Sequence, residues 1–129
     1  MISHTTLGTN DISRAERFFD EFLRELNGEK FLKTDRAVFY AFEGHESKLA
    51  ISQPFNGEPA THGNGTMVAF SVDSDEQVKE LHAKALSLGA TNEGNPGPRY
   101  HGMYYGAYFR DADGNKFAIF HAMAAPRNS

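Results

Sequence analysis

The sequence predicts an α+β protein made of two βαβββ modules in tandem. Three observations carry that prediction. First, Tyr104 to His121 (YYGAYFRDADGNKFAIFH) reads as a β-hairpin. Two apolar, aromatic-rich runs flank Asp111-Ala112-Asp113-Gly114-Asn115, where Asp and Asn side chains can bond their own backbone and Gly114 can take positive φ. Second, this hairpin has an echo. Lys48-Leu49-Ala50-Ile51 matches Lys116-Phe117-Ala118-Ile119 at an offset of 68, and the same offset carries Tyr40 onto Tyr108. Third, each half opens with a strand followed by a capped helix, which sets His4 opposite Met67 at an offset of 63. A longer, Gly/Pro-rich loop before Tyr104 accounts for the difference between the two offsets.

The elements follow in order. Ile2 to Gly8 is a short strand with β-branched residues. Thr9-Asn10-Asp11 supplies an N-cap. Ile12, Ala15, Phe19, Phe22, Leu23 and Leu26 then form a one-sided helical stripe, closed by Asn27-Gly28. Phe18, Phe19 and Phe22 stand at helical spacing and belong to a core. Lys30 to Lys33 is a weak strand, Ala37 to Phe42 a stronger one, and Ser47 to Gln53 returns after a turn at Glu43-Gly44-His45-Glu46. Pro54 to Gly65 (PFNGEPATHGNG) is irregular and exposed, with two prolines and three glycines. Thr66 to Val72 begins the second module. Ser74 with Gln77 is a capping-box pattern, and Val78, Leu81, Ala85 and Leu88 make a helical stripe that stops at Gly89. Any strand in Thr91 to Gly102 (TNEGNPGPRYHG) must be short or interrupted. A polar tail begins at Pro126.

The chain of 129 residues is one domain, with module one at about 1–53, a linker at 54–65 and module two at about 66–125. Each half alone, at roughly 60 residues, has a marginal core. Without cysteine, neither a disulfide framework nor a thiolate site or nucleophile is available. A net charge of -4 with scattered basic residues gives nucleic-acid binding little support. No run reaches the roughly 20 apolar residues of a membrane helix. Met1-Ile2-Ser3-His4 carries no basic region or apolar signal segment, so the expected location is cytoplasmic. No Gly-rich phosphate loop, Gly-x-Ser-x-Gly elbow or His-Glu-x-x-His helix occurs.

This layout, closing in FRDADGNKFAIF, resembles the glyoxalase / bleomycin-resistance / extradiol-dioxygenase (vicinal oxygen chelate) superfamily over essentially the whole chain. The opening strand with His4, followed by Gly-x-Asn-Asp and a helix, is typical of it, as is the closing Arg-Asp-x-Asp-Gly-Asn turn. The resemblance implies two βαβββ modules forming an open, eight-stranded, barrel-like cleft, usually in a homodimer, with a small-molecule ligand. In metal-using members four ligands come from the first and last strands of each module. Those positions fall here on His4, Ala50, Met67 and Ala118. One imidazole, one thioether and two methyls do not make a divalent transition-metal site. The expectation is therefore no cofactor, a divalent metal being disfavoured and His4 the one retained candidate ligand. Of the other histidines, His45 and His62 fall in loops, His82 edges the second helical stripe and His121 turns to the opposite sheet face from Ala118. His101, in a flexible loop, is the one other histidine able to fold over the cleft.

Two residues are catalytic candidates. His4, mid-strand on the face the superfamily turns into its cleft, is a general base, a substrate partner or a vestigial ligand, or else a half-buried polar residue paired with a neighbouring strand. Tyr108 is the second. Tyr40, Ala50, Met67, Arg99, His101, Tyr104 and Ala118 are expected to bind substrate. The alanines leave room, the repeat-related Tyr40 and Tyr108 line it or are plain core aromatics, and Arg99 pairs with an anionic substrate group. Arg99 to Tyr105 is a rim or lid, or a surface or dimer contact; Gln53-Pro54-Phe55 is the opposite rim. Asp111 and Asp113 are explained by turn chemistry.

Three functional readings follow. The first is a glyoxalase-like protein acting on a small organic molecule in an aromatic cleft, isomerase- or lyase-like and metal-independent if catalytic. The second is a non-catalytic small-molecule or antibiotic binding protein of the bleomycin-resistance type. The third is a metal-dependent lactoylglutathione lyase or dioxygenase with an atypical site.

Overall fold

The structure, a computed structural model, describes residues 1–123. The eight strands fall into two four-stranded mixed sheets, each with one α-helix, and form no closed barrel. The chain divides into two compact units. Among the described residues, the first holds 1–64 together with 112–115, and the second holds 65–111 and 116–123. The linker-like stretch thus belongs, up to Asn64, with the first unit. Residues 124 and 125 of the second module, and the tail from Pro126, lie outside the described residues.

In the first unit, β1 (His4–Gly8) is followed by α1 (Ile12–Phe22), β2 (Gly28–Lys33), β3 (Ala37–Phe42) and β4 (Lys48–Ser52), with sheet order β1-β4-β3-β2. Asp11 caps α1 by accepting the Arg14 N–H at 3.0 Å. The helix tightens into a 3₁₀ turn at Leu23–Leu26, and Asn27 ends it at φ 58°, the left-handed conformation Asn tolerates. Phe19, Phe22 and Leu23 are fully buried, as are Val38 and Ile51 of the sheet, with Tyr40 and Leu49 nearly so, and the Phe19 ring lies 6.4 Å from that of Tyr40. Each such side chain contributes about 2–3 kcal/mol of transfer free energy. Phe18 is only half-buried and stacks on Phe22 at 5.7 Å.

The second unit repeats the plan. Its elements are β5 (Met67–Ser71), α2 (Asp75–Ser87), β6 (Thr91–Arg99), β7 (Tyr104–Arg110) and β8 (Lys116–Ala122), with order β5-β8-β7-β6. Ser74 Oγ accepts the Gln77 N–H at 3.1 Å. The reciprocal bond runs from the Asp73 N–H to Gln77 Oε1 at 2.7 Å, one residue earlier than a standard capping box. Phe117 stacks between Phe109 at 5.2 Å and Phe70 at 5.8 Å, with Val78, Leu81 and Ala85 of α2 buried alongside. β6 is nine residues long, and two register shifts interrupt its pairing with β7.

Strand register makes the internal repeat exact in one place and corrects it in another. His4 pairs with Lys48 as Met67 pairs with Lys116, and Thr6 with Ala50 as Ala69 with Ala118. The offsets of 63 and 68 therefore hold for the outer pairs. In the hairpins, Ala50 lies opposite Phe39, whereas Ala118 lies opposite Tyr108. The structural mate of Tyr108 is thus Phe39, and that of Tyr40 is Phe109.

Candidate functional site

Alternation along the strands gives each sheet a face toward its helix and an open face. In the first unit Leu7, Val38, Tyr40, Leu49 and Ile51 are buried on the helix side. His4, Thr6, Phe39 and Ala50 share the opposite, open side by register. The His4 ring is exposed, meets Phe39 edge-on at 6.2 Å and keeps Nδ1 at 3.0 Å from the Ser3 hydroxyl.

Tyr40 does not line this face, and the expectation that it binds substrate is corrected. It is 1% exposed, and its hydroxyl donates to Asp20 Oδ1 of α1 at 2.8 Å. Burial, followed by the Asp20 carboxylate, pushes its phenol far above the ordinary range, so it stays protonated. Asp20 also accepts from Lys30 Nζ at 3.1 Å, and Lys30 pairs with Glu16. Lys30, and then Lys33, hold the Glu16 carboxyl below its ordinary range. These groups fasten β2 and β3 to the helix.

A cavity of about 470 Å³ lies in the first unit at the C-terminal ends of β1 and β4. Thr6, Gly8 and Ser52 contribute to its lining from the strands, and Gln53, Pro54 and Phe55 from the loop beyond. The loop is pinned by Asn10, whose amide donates to the Ala60 carbonyl at 3.2 Å while its oxygen accepts the Ala60 N–H at 2.7 Å. Gly8 is needed where this loop crosses β1, because a Cβ there would stand 2.9 Å from the Ala60 side chain.

Asp113 does more than shape a turn. Its carboxylate, with a side chain 5% exposed, accepts from Thr9 Oγ1 at 2.6 Å, the Asn10 N–H at 2.9 Å and Arg14 Nη2 at 2.9 Å. Asn115 Nδ2 donates to the Gly8 carbonyl at 2.9 Å. The segment 112–115 therefore secures the β1–α1 connection of its own unit.

The second unit carries the richest chemistry. Met67 and Ala69 of β5, Lys116, Ala118 and Phe120 of β8, and Tyr104, Gly106 and Tyr108 of β7 share its open face by register. Four rings cluster there. Phe120 lies 5.2 Å from Tyr104, 5.7 Å from Tyr108 and 6.2 Å from Tyr100. Two cations pack on Tyr108, with the Arg99 guanidinium carbon 5.3 Å and Lys116 Nζ 5.0 Å from the ring centroid. Burial, and then neighbouring Tyr100, raise the Tyr108 phenol above its ordinary range against the opposing pull of Arg99, so it is a donor and not a base near neutral pH. From the helix side, His82 Nε2–H donates to the Tyr108 carbonyl at 3.1 Å and to Asn92 Oδ1 at 3.0 Å, which fixes this part of β7.

Of the expected site residues, Met67, Arg99, Tyr104, Tyr108 and Ala118 are brought together in this unit, and His4 and Ala50 share a face in the other. The Arg99–Tyr105 segment is a tight hairpin and not a loose loop: Arg99 and Tyr104 pair directly, and only residues 100–103 turn. Tyr100 and His101 take the left-handed conformation at φ 54° and 56°, which leaves His101 exposed at the tip. Tyr105 faces the helix side, under Lys79 Nζ at 5.9 Å. His121 also faces α2 and donates from Nδ1 to Asp75 Oδ1 at 2.9 Å. Phe120 and Lys116 went unread in the sequence, although alternation from Ala118 points to both. Among the described residues, no group of three or more His, Cys, Asp or Glu side chains is arranged to hold a metal ion. The four positions implied by the resemblance present one imidazole, one thioether and two methyls, a donor set that does not fit a divalent metal.

Two sheets in the order first-fourth-third-second, each with its parallel outer pair, define a tandem βαβββ protein. The chain belongs to the Glyoxalase/Bleomycin resistance protein/Dioxygenase superfamily, whose family profile matches residues 1–119. A glyoxalase/bleomycin resistance protein from Albidiferax ferrireducens T118 is 37% identical, with a TM-score of 0.83 over 94% of this chain and 98% of that one. A glyoxalase/bleomycin resistance protein/dioxygenase family enzyme from Burkholderia phytofirmans PsJN shares the fold at 21% identity, with a TM-score of 0.77 over 93% and 97% of the two chains. Lactoylglutathione lyase from Agrobacterium tumefaciens does so at 23% identity and a TM-score of 0.70, over 94% and 92%. Among curated proteins none matches the chain. No helix among the described residues is long and apolar enough to cross a membrane.

Proposed function

We propose that this protein binds a small organic molecule on the open face of its second sheet, and does so without the superfamily's four-ligand metal site. The observation that carries the reading is the cluster of Tyr100, Tyr104, Tyr108 and Phe120 around the small Ala118 and Gly106. Aromatic side chains offer large contact area at low cost in side-chain entropy, and each tyrosine adds one donor and one acceptor. The face holds a protonated phenol and two cations, a set suited to binding and orienting a ligand. The metal-independent part rests on the donor chemistry at His4, Ala50, Met67 and Ala118. Cytoplasmic residence and a homodimer remain parts of the proposal.

Titration with a panel of planar aromatic compounds, neutral and charged, tests it. Backbone amide resonances of Gly106, Tyr108, Ala118 and Phe120 move saturably with at least one compound, and Tyr108→Ala abolishes the response. A panel that leaves those resonances in place overturns the reading. For the metal, protein purified without a histidine tag keeps its melting temperature in Ni²⁺, Zn²⁺, Mn²⁺ or Fe²⁺. A rise that His4→Ala removes restores the metal-dependent alternative, because a ligand bound only by the native state stabilises it by mass action.

A second reading is favoured by one feature, the exposed imidazole of His4 on an open sheet face. There it serves as the base of a metal-independent isomerase or lyase reaction. Turnover of an identified substrate that survives His4→Ala excludes it.

A further inference from the structure

We propose that the ligand of the second sheet's open face is a planar organic anion, an aromatic or conjugated carboxylate, whose charge is taken by Arg99 and Lys116. This rests on the small-molecule reading above and narrows its substrate class.

The argument begins with charge pairing. In a chain of net charge -4, cations have ample carboxylates to choose from. Arg14 pairs with Asp113, Lys30 with Glu16 and Asp20, Lys79 with Glu76, and Arg110 with Glu93. Arg99 and Lys116 have no carboxylate partner among the described residues, and neither do Arg17, Arg36 and Lys48; what sets Arg99 and Lys116 apart is that both are half-buried and both lie against the ring of Tyr108. Glu93, on the same strand as Arg99, is held by Arg110 Nε at 3.0 Å.

Arg99 is also aimed. Its Nη2 donates to the Asn95 carbonyl at 2.6 Å and its Nη1 to the Pro98 carbonyl at 3.1 Å. These bonds fix the guanidinium plane without neutralising it. A Cβ on Gly94 or Gly97 would stand 3.3 Å or 3.1 Å from the guanidinium nitrogens, so the glycines make the space it occupies. Two partly desolvated cations packed against one ring lack their full hydration. An anion that reaches either of them over the face offsets that cost, and a carboxylate matches the guanidinium fork.

The remainder of the face selects shape. The rings of Tyr104, Tyr108 and Phe120 crowd within 6 Å of a neighbour, and the methyl of Ala118 lies beside Tyr108 in register. A flat conjugated body stacks in such surroundings better than a puckered aliphatic one.

Three probes separate the elements of this proposal: 2-naphthoate, its uncharged counterpart 2-naphthamide, and the saturated decalin-2-carboxylate. Affinities come from amide shift titrations of the full chain. Naphthoate binds about tenfold tighter than either competitor, a tenfold ratio corresponding to about 1.4 kcal/mol. Arg99→Gln and Lys116→Gln each weaken naphthoate by about fivefold or more, as loss of a charge-assisted contact requires, and weaken naphthamide by a much smaller factor. Equal binding of naphthoate and naphthamide at Gly106, Tyr108 and Ala118 overturns the anion assignment while the small-molecule reading stands. Insensitivity to both substitutions, or decalin-2-carboxylate binding as tightly as naphthoate, overturns it too. If no probe moves those resonances, both proposals fall together.

Discussion

At the scale of single residues, Tyr40 shows how one position of register decides a role. Eleven positions separate Phe39 from its partner Ala50, but ten separate Tyr108 from Ala118. The first hairpin thus holds one residue more, and a slip of one residue moves a side chain to the other face of a sheet. Matching Tyr40 to Tyr108 by identity hid that change of parity. Phe39 was the residue to pair with Tyr108, and only the register reveals it. A buried phenol on the helix side has a testable consequence. Its folded-state pKa lies above the unfolded value, so its contribution is fully present below about pH 10 and is lost as pH rises further, when the unfolded chain releases a proton the native chain retains. Tyr40→Phe forfeits the hydrogen bond to Asp20 and costs about 1–2 kcal/mol at pH 8. Because phenylalanine does not titrate, the gap between the two proteins narrows by pH 11. Urea unfolding at both pH values measures it, and a gap that stays constant or widens contradicts the assignment.

At the scale of elements, the glycines of the second sheet are seats for aromatic rings. Composition alone marks Thr91 to Gly102 as a poor strand, because glycine and proline weaken strands. Yet β6 runs for nine residues, its irregular pairing absorbed at Asn92/Gly94 and Gly94/Gly97. A Cβ on Gly94 would lie 2.8 Å from Tyr108 Cδ2, and one on Gly106 would lie 2.1 Å from Phe120 Cδ1. These glycines let rings from the adjacent strand lie over the backbone. That is a tertiary reason, which a count of glycines in one stretch does not carry; the alternation Lys116-Ala118-Phe120 together with the hairpin register does. Gly106→Ala therefore forces Phe120 off the strand, at a cost of about 1–3 kcal/mol for the overpacked site. In a Phe120→Ala background the same substitution costs much less. A double-mutant cycle by chemical denaturation reads this coupling directly. Additive effects would mean that Phe120 does not occupy the space over Gly106.

At the scale of the whole molecule, the duplication was legible because sequence identity survives at Lys48-Leu49-Ala50-Ile51 and Lys116-Phe117-Ala118-Ile119, where parallel pairing fixes both faces. What the repeat did not disclose is that the units are not contiguous in sequence. Residues 112–115 sit inside the second hairpin yet belong to the first unit, and nothing local to Asp113 distinguishes a turn residue from a buried clamp. The distinction lies about a hundred residues away, in Thr9, Asn10 and Arg14. A fragment of residues 1–64 thus contains a full βαβββ module but lacks the carboxylate that closes its β1–α1 connection. It also loses the Asn115 amide on the Gly8 carbonyl. At about 60 residues its core is marginal to begin with. Removing a nearly buried carboxylate that binds a hydroxyl, a backbone N–H and a half-exposed guanidinium costs about 2–3 kcal/mol. The fragment is therefore expected to show the narrow amide dispersion of an unfolded chain, while full-length Asp113→Ala folds with a lowered melting temperature. Native-like dispersion in the isolated fragment, with Thr9 and Asn10 at their full-length chemical shifts, would show that the first module closes without the turn.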